Sequence, residues 1–195
     1  VFETYEGAGT GGISFRSGST SSALEAPTIL AVAFRNIEVD TALTSTADDG
    51  LIRLIAGLGA SATGGANNTG DLTITANGVV QAVNPGASVV LKSGETAGDM
   101  RISNDVNAAV GIDLEALGGS ITVDAPARLI TDQLMFASLD SSTLRTDVRR
   151  IISGRVIGDG PTGGQNLIID ELNDLDIVFL ETGADAGFIQ VTAGG

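Results

Sequence analysis

One unit recurs along this chain, its strands repeating while its turns change length. The segment Leu91-Lys92-Ser93-Gly94-Glu95-Thr96-Ala97-Gly98-Asp99-Met100-Arg101-Ile102-Ser103 aligns without a gap on Leu180-Glu181-Thr182-Gly183-Ala184-Asp185-Ala186-Gly187-Phe188-Ile189-Gln190-Val191-Thr192. Both read as a strand end, a small residue and Gly, a polar turn, a second Gly, then alternating apolar and polar residues. A shorter copy runs from Leu114 to Ala125, and a longer one starts at Leu54-Ile55-Ala56-Gly57 and resumes at Gly70-Asp71-Leu72-Thr73-Ile74-Thr75-Ala76. A further strand follows in Val79-Val80-Gln81-Ala82 and in Arg128-Leu129-Ile130-Thr131, so each unit holds three short strands between Gly, Asn, Pro or Asp corners.

This order of parts predicts an all-β fold, a parallel β-helix (β-solenoid) with about three short strands per coil of roughly twenty to thirty residues. The strand centres Ile74, Ile102 and Val123, 28 and 21 residues apart, are expected to stack. Period-2 alternation turns Leu72, Ile74, Ile121 and Val123 inward and Thr73, Thr75 and Thr122 outward. The alternative is an antiparallel β-sandwich, which explains short hairpins but not the recurring three-part order. Residues 1–195 are expected to form a single solenoid segment, a fragment of a longer protein or a filament subunit. The more polar stretch from Leu134 to Arg155 fits the template poorly and reads as an irregular or looped coil, with a short helix around Thr143 to Ile152 as the other option.

Composition agrees with strands and narrows function. The apolar share of 43% supports a folded core, and with aromatics at only 4% that core is carried by Ile, Val, Leu and Ala. A net charge of −14 disfavours nucleic acid and anionic lipid as partners. No run reaches the roughly eighteen apolar residues a membrane-spanning helix needs, so no membrane insertion is expected. The absence of Cys and His removes thiol chemistry, the commonest general base and the commonest transition-metal ligand. Asp48-Asp49-Gly50 is the nearest thing to a paired-carboxylate motif, and adjacent side chains on an extended strand would diverge. The chain is therefore expected not to be an enzyme, with a polysaccharide-active β-helix as the distant alternative.

The segments Gly70-Asp71-Leu72-Thr73-Ile74-Thr75-Ala76-Asn77-Gly78 and Gly119-Ser120-Ile121-Thr122-Val123-Asp124-Ala125 resemble the β-helical repeats of filamentous-haemagglutinin-type exoproteins and autotransporter passenger domains. In those families a Gly, a polar residue and an alternating strand ending in Ala recur coil after coil. The resemblance runs from about Leu51 to Ala125 and again from Asn166 to Gly195. It implies export by a Gram-negative-like bacterium, an extracellular or cell-surface location, and a structural, adhesive or biofilm role as a rod. It transfers no catalytic residues, and the sequence shows neither a secretion domain nor a membrane barrel.

No cofactor is expected. Calcium is the one to consider, with Asp170, Asp174, Asp176 and Asp185 as candidate ligands beside Glu171 and the turns at Asp99 and Asp159, although neither an EF-hand nor a calcium-binding nonapeptide is present. A solvated acidic face is the simpler account of these residues. Arg145, Arg149, Arg150 and Arg155, the only basic concentration, are expected to be salt-bridged to neighbouring carboxylates or packed against another subunit. The partner expected is another copy, joined head to tail, or the continuation of a longer chain. The expected assembly residues are Phe188, Ile189, Gln190 and Val191 near the C-terminus and Phe15 and Phe34 near the N-terminus. A surface receptor or glycan held by the long turns, Ala60 to Thr69 or Leu134 to Arg155, is the adhesin alternative.

Overall fold

The structure, a computed structural model, describes residues 2–3, 11–17, 23–58, 69–158, 165–183 and 187–194. The first coil holds β1 (Phe2–Glu3), β2 (Ile13–Arg16) and β3 (Ala23–Ala26), and the second holds β4 (Thr28–Val32), β5 (Ile37–Asp40) and β6 (Ala42–Ser45). The third holds β7 (Leu51–Ile55), β8 (Leu72–Ile74) and β9 (Val79–Ala82), and the fourth β10 (Ser88–Lys92), β11 (Met100–Ile102) and β12 (Val106–Ala108). The later coils are built from β13 (Gly111–Ala116), β14 (Ile121–Val123), β15 (Leu129–Ser138), β16 (Ser142–Val156), β17 (Leu167–Glu171), β18 (Asp176–Ile177), β19 (Leu180–Thr182) and β20 (Ile189–Ala193).

Each strand of the early coils pairs with the strand three later, and every pairing among the described strands is parallel. The fold is thus a parallel β-helix with three faces, and the antiparallel sandwich is excluded. Eight coils stack among the described residues. Alternation builds the interior: Phe15, Val39, Ile74, Ile102 and Val123 follow one another up the second face, and Leu144, Ile169 and Val191 continue the column. On the first face Ala31, Leu54, Leu91, Leu114, Phe136, Gly154 and Leu180 form another. Each aliphatic side chain buried in such a column contributes about 1.5–3 kcal/mol, so stability is spread along the axis. The column also explains Gly154: a Cβ there would lie 2.3 Å from the Phe136 ring and 2.5 Å from Leu180. A large ring is accommodated by an absent side chain in the next coil.

The stretch from Leu134 to Arg155 is strand and not helix, interrupted by a corner at residues 139–141 and by one irregularity in register. It lies in the two longest strands, because β15 turns one corner and β16 turns two without leaving extended geometry. The Leu134–Ile151 pair is followed by Met135–Ser153, so the register shifts by one residue at Ile152. That shift breaks the alternation that would have disclosed a strand. Ser142, Thr146 and Glu171 also point inward here, in line with apolar residues such as Ile121 and Leu129 of the preceding coils.

Candidate functional site

Four elements carry the chemistry of the surface: a corner ladder, the outward ion pairs, an acidic recess and the C-terminal coil. The ladder sits where the first face turns into the second. Asp71 N–H donates to Asn36 Oδ1 at 3.0 Å, Asp99 N–H to Asp71 Oδ1 at 3.0 Å, and Ser120 N–H to Asp99 Oδ1 at 2.8 Å. The pattern returns as Asn166 N–H to Ser141 Oγ and Phe188 N–H to Asn166 Oδ1. Each of these residues directly precedes the first inward residue of its second-face strand, so its side chain caps the backbone of the next coil. Asp99, a calcium candidate by sequence, has one oxygen committed to this role. The signal was present in the sequence as an Asn, Asp or Ser before Ile37, Leu72, Met100, Ile121 and Leu167.

The candidate calcium ligands do not converge. Adjacent strand residues face opposite ways, so Asp170 turns outward to Arg145 Nη1 at 2.9 Å, with Arg128 Nη2 at 3.9 Å. Glu171 turns inward, almost wholly buried, and accepts from the N–H groups of Val148 and Asn173. Asp176 pairs with Arg150 at 2.8 Å. Asp174 lines a recess of about 580 Å³ with Asp132 and Asp147. Arg149 holds Asp132 through both carboxylate oxygens, at 2.6 and 3.1 Å, and Asn173 donates to Asp147 at 2.8 Å. No group of three such side chains among the described residues is placed to hold a metal. Asp159 and Asp185 lie outside the described residues, as does the Ala60 to Thr69 turn apart from Thr69 itself.

The basic group is taken up by ion pairs, since Arg155 also meets a carboxylate, Glu181, at 3.1 Å. The pairs of Arg149, Arg150 and Arg155 are substantially exposed and contribute at most about 1 kcal/mol each, setting inter-coil register more than stability. Asp48 and Asp49 lie on no strand: they form the corner between β6 and β7, and Asp49 adopts φ of 54°. Asp49 N–H bonds to the Pro85 carbonyl, a corner role.

Two carboxylates separate by sign with pH. Hydrogen bonds from Arg101 and then Ser103 hold Asp124 below the ordinary carboxylate range, whereas burial raises Asp113 above it. A depressed group stabilises the fold above its unfolded value and loses that contribution as pH falls through the folded one; a raised group does the reverse. Asp124→Asn is therefore expected to lower the urea midpoint at pH 7, with the deficit vanishing in acid. Asp113→Asn is expected to raise the midpoint at pH 7, and that gain also disappears once the native carboxyl is protonated. Denaturation curves at neutral and acid pH check both; deficits that do not change with pH contradict the assignment.

The end strand β20 carries Ile189, Gln190 and Val191, as the sequence places them, with Phe188 just before it. Among the described strands it pairs with β17, and Ile189 and Val191 are 40% and 37% exposed although they continue the interior columns that hold Leu167 and Ile169, both 0%. Ile177, Val178, Phe179 and Phe188 are exposed on the same coil. The N-terminal candidates behave differently. Phe15 is an inward residue of β2, and Phe34 is 1% exposed at the corner after β4, its ring beside Arg35. Phe34 lies on no strand: sequence pattern could not distinguish a buried corner ring from an end-facing one. Comparison with protein-family models, with curated proteins and with solved structures finds no match.

Proposed function

We propose that this chain is a structural element of an extracellular, bacterial surface rod or filament and acts without catalysis. The observation that carries this reading is the continuous stack itself: interior columns run through all eight described coils, on the second face from Phe15 to Val191. Polar side chains along the stack are largely spent on its own coil-to-coil bonds, as the corner ladder and the ion pairs illustrate. The resemblance to exported β-helical repeats and the acidic surface support the location. Electron microscopy of the purified chain tests it: rods or fibres giving an axial repeat of about 4.8 Å are expected, and compact isolated particles at high concentration overturn it.

A second reading, an adhesin, is favoured by one observation. The longest connections between described strands, those between β7 and β8 and between β16 and β17, both join a first-face strand to a second-face strand, so their flanking strand ends lie at the same corner of the solenoid. Insertions gathered on one side of a repeat stack are a common way to present a binding surface. Binding to a host surface that is lost when residues 59–68 are shortened would move the protein to this class.

A further inference from the structure

On the side of the stack, β15 turns from the third face to the first at Thr131 and Asp132, between its pairing with β12 and its pairing with β13. Val148 and Arg149 make the same turn one coil on, and Asn173 and Asp174 the next. These corners enclose the recess of about 580 Å³, within the size range of small-ligand sites. Its ionisable lining is three carboxylates, Asp132, Asp147 and Asp174, against one guanidinium, Arg149. We propose that this recess binds a primary ammonium group, carried by a free aliphatic amine or by a lysine side chain. The site lies along the side of the solenoid, so it goes beyond the rod reading and does not depend on it.

Hydrogen-bond accounting selects the ligand. Arg149 spends Nε and Nη2 on Asp132, and Asn173 spends Nδ2 on Asp147 Oδ1, so these donors are turned on the recess's own carboxylates. Acceptors stay uncommitted: Asp147 Oδ2, and both oxygens of Asp174, which has no hydrogen bond or ion pair among the described residues. Thr131 is an independent sign. It lines the recess while only 8% exposed, and its Oγ1 has no hydrogen-bond partner, a deficit that a donor in the recess would remove. Behind the wall Glu171, 1% exposed, accepts from the N–H groups of Val148 and Asn173, two lining residues, and has no ion-pair partner among the described residues. Water screens its charge little, so it adds to the field of the three carboxylates in front. The described side chains are not placed to hold a metal ion directly, whereas an ammonium reaches separate acceptors through its N–H groups. Acceptors offered by three coils suit its three donors better than the planar fork of a guanidinium.

Isothermal titration calorimetry of the purified chain with 1,4-diaminobutane tests the proposal. Saturable binding at one site per chain is expected. Its fully N-methylated, bis-quaternary counterpart, equal in charge but without N–H donors, should fail to displace it. Asp147→Asn and Thr131→Val are expected to weaken binding, about tenfold and about fivefold, while Asp48→Asn, which removes a charge from an exposed corner outside the recess, leaves it unchanged. Thr131→Val removes only an unpartnered hydroxyl and should not lower the urea midpoint, so its loss of affinity is not unfolding. A capped tripeptide with lysine at its centre separates the two sources. If it binds more tightly than the diamine, and acetylation of its lysine abolishes this, the ammonium belongs to a protein partner; the reverse order assigns it to a free amine. No binding of either overturns the proposal. So does binding that Asp48→Asn weakens as much as Asp147→Asn, that Thr131→Val leaves unchanged, or that the quaternary compound displaces equally, each the mark of a solvated acidic surface.

Discussion

Val123→Asp is expected to lose about 4 kcal/mol of stability or more, enough to unfold the middle coils, while Thr122→Asp stays within about 0.5 kcal/mol of the parent. The two residues are neighbours on β14 and differ only in direction. Val123 is 2% exposed and sits between Ile102 of β11 and the Leu144 position of β16, in a column that offers a carboxylate no donor. Thr122 faces outward between Arg101 and Thr143 and remains hydrated. Because each coil rests on its neighbours, a charge inside one coil removes the seat of the coils on both sides. Urea titrations of the two variants measure the difference; equal midpoints contradict the inward assignment of β14 and with it the column.

Strands such as Leu72-Thr73-Ile74 and Ile121-Thr122-Val123 were legible because each is short, alternates without fault and is bounded by Gly or Asn corners. Their predicted stacking is the observed register, Ile74 to Ile102 to Val123. The coils after Ala125 were harder for three physical reasons. They lack corner residues, since β15 and β16 bend while remaining extended. Their inward positions include Ser142 and Thr146. The spacing from Val148 to Ile151 to Gly154, set by a corner and a bulge, imitates the i, i+3 pattern of a helix.

The acidic residues show the same limit. Asp170 and Glu171 look like one cluster in sequence, yet the pleat sends one to Arg145 and the other into the core. Pairing partners such as Arg150 and Asp176, 26 residues apart, are visible only once the coil length is known. The strand β20 was legible from its alternation; the burial of Phe34 was not, because a corner ring carries no periodicity.

Gly98→Ala is the second large effect expected, about 3 kcal/mol of destabilisation, and it separates two reasons for a corner glycine. One reason is a left-handed backbone, as at Gly57 and Gly86, with φ of 73° and 82°. Gly98 is not among the positive-φ residues, so conformation does not require it. Space does: a Cβ at Gly98 would stand 2.3 Å from the Gly70 carbonyl oxygen and 2.8 Å from the Gly94 nitrogen. Those two atoms are themselves joined by a 2.8 Å hydrogen bond that ties neighbouring coils, so the methyl group enters the bond. Both are backbone, and neither can rotate away. Gly111→Ala is the matched comparison, since the nearest atom to its added Cβ is the Gln133 carbonyl oxygen at 3.7 Å, an ordinary contact. It should be neutral or slightly stabilising, by about 0.5 kcal/mol, through the reduced freedom of the unfolded chain. Thermal and urea unfolding of the two variants side by side would read the contrast, and a Gly98→Ala protein as stable as Gly111→Ala would show that the coils do not approach as closely at this corner as the stack requires.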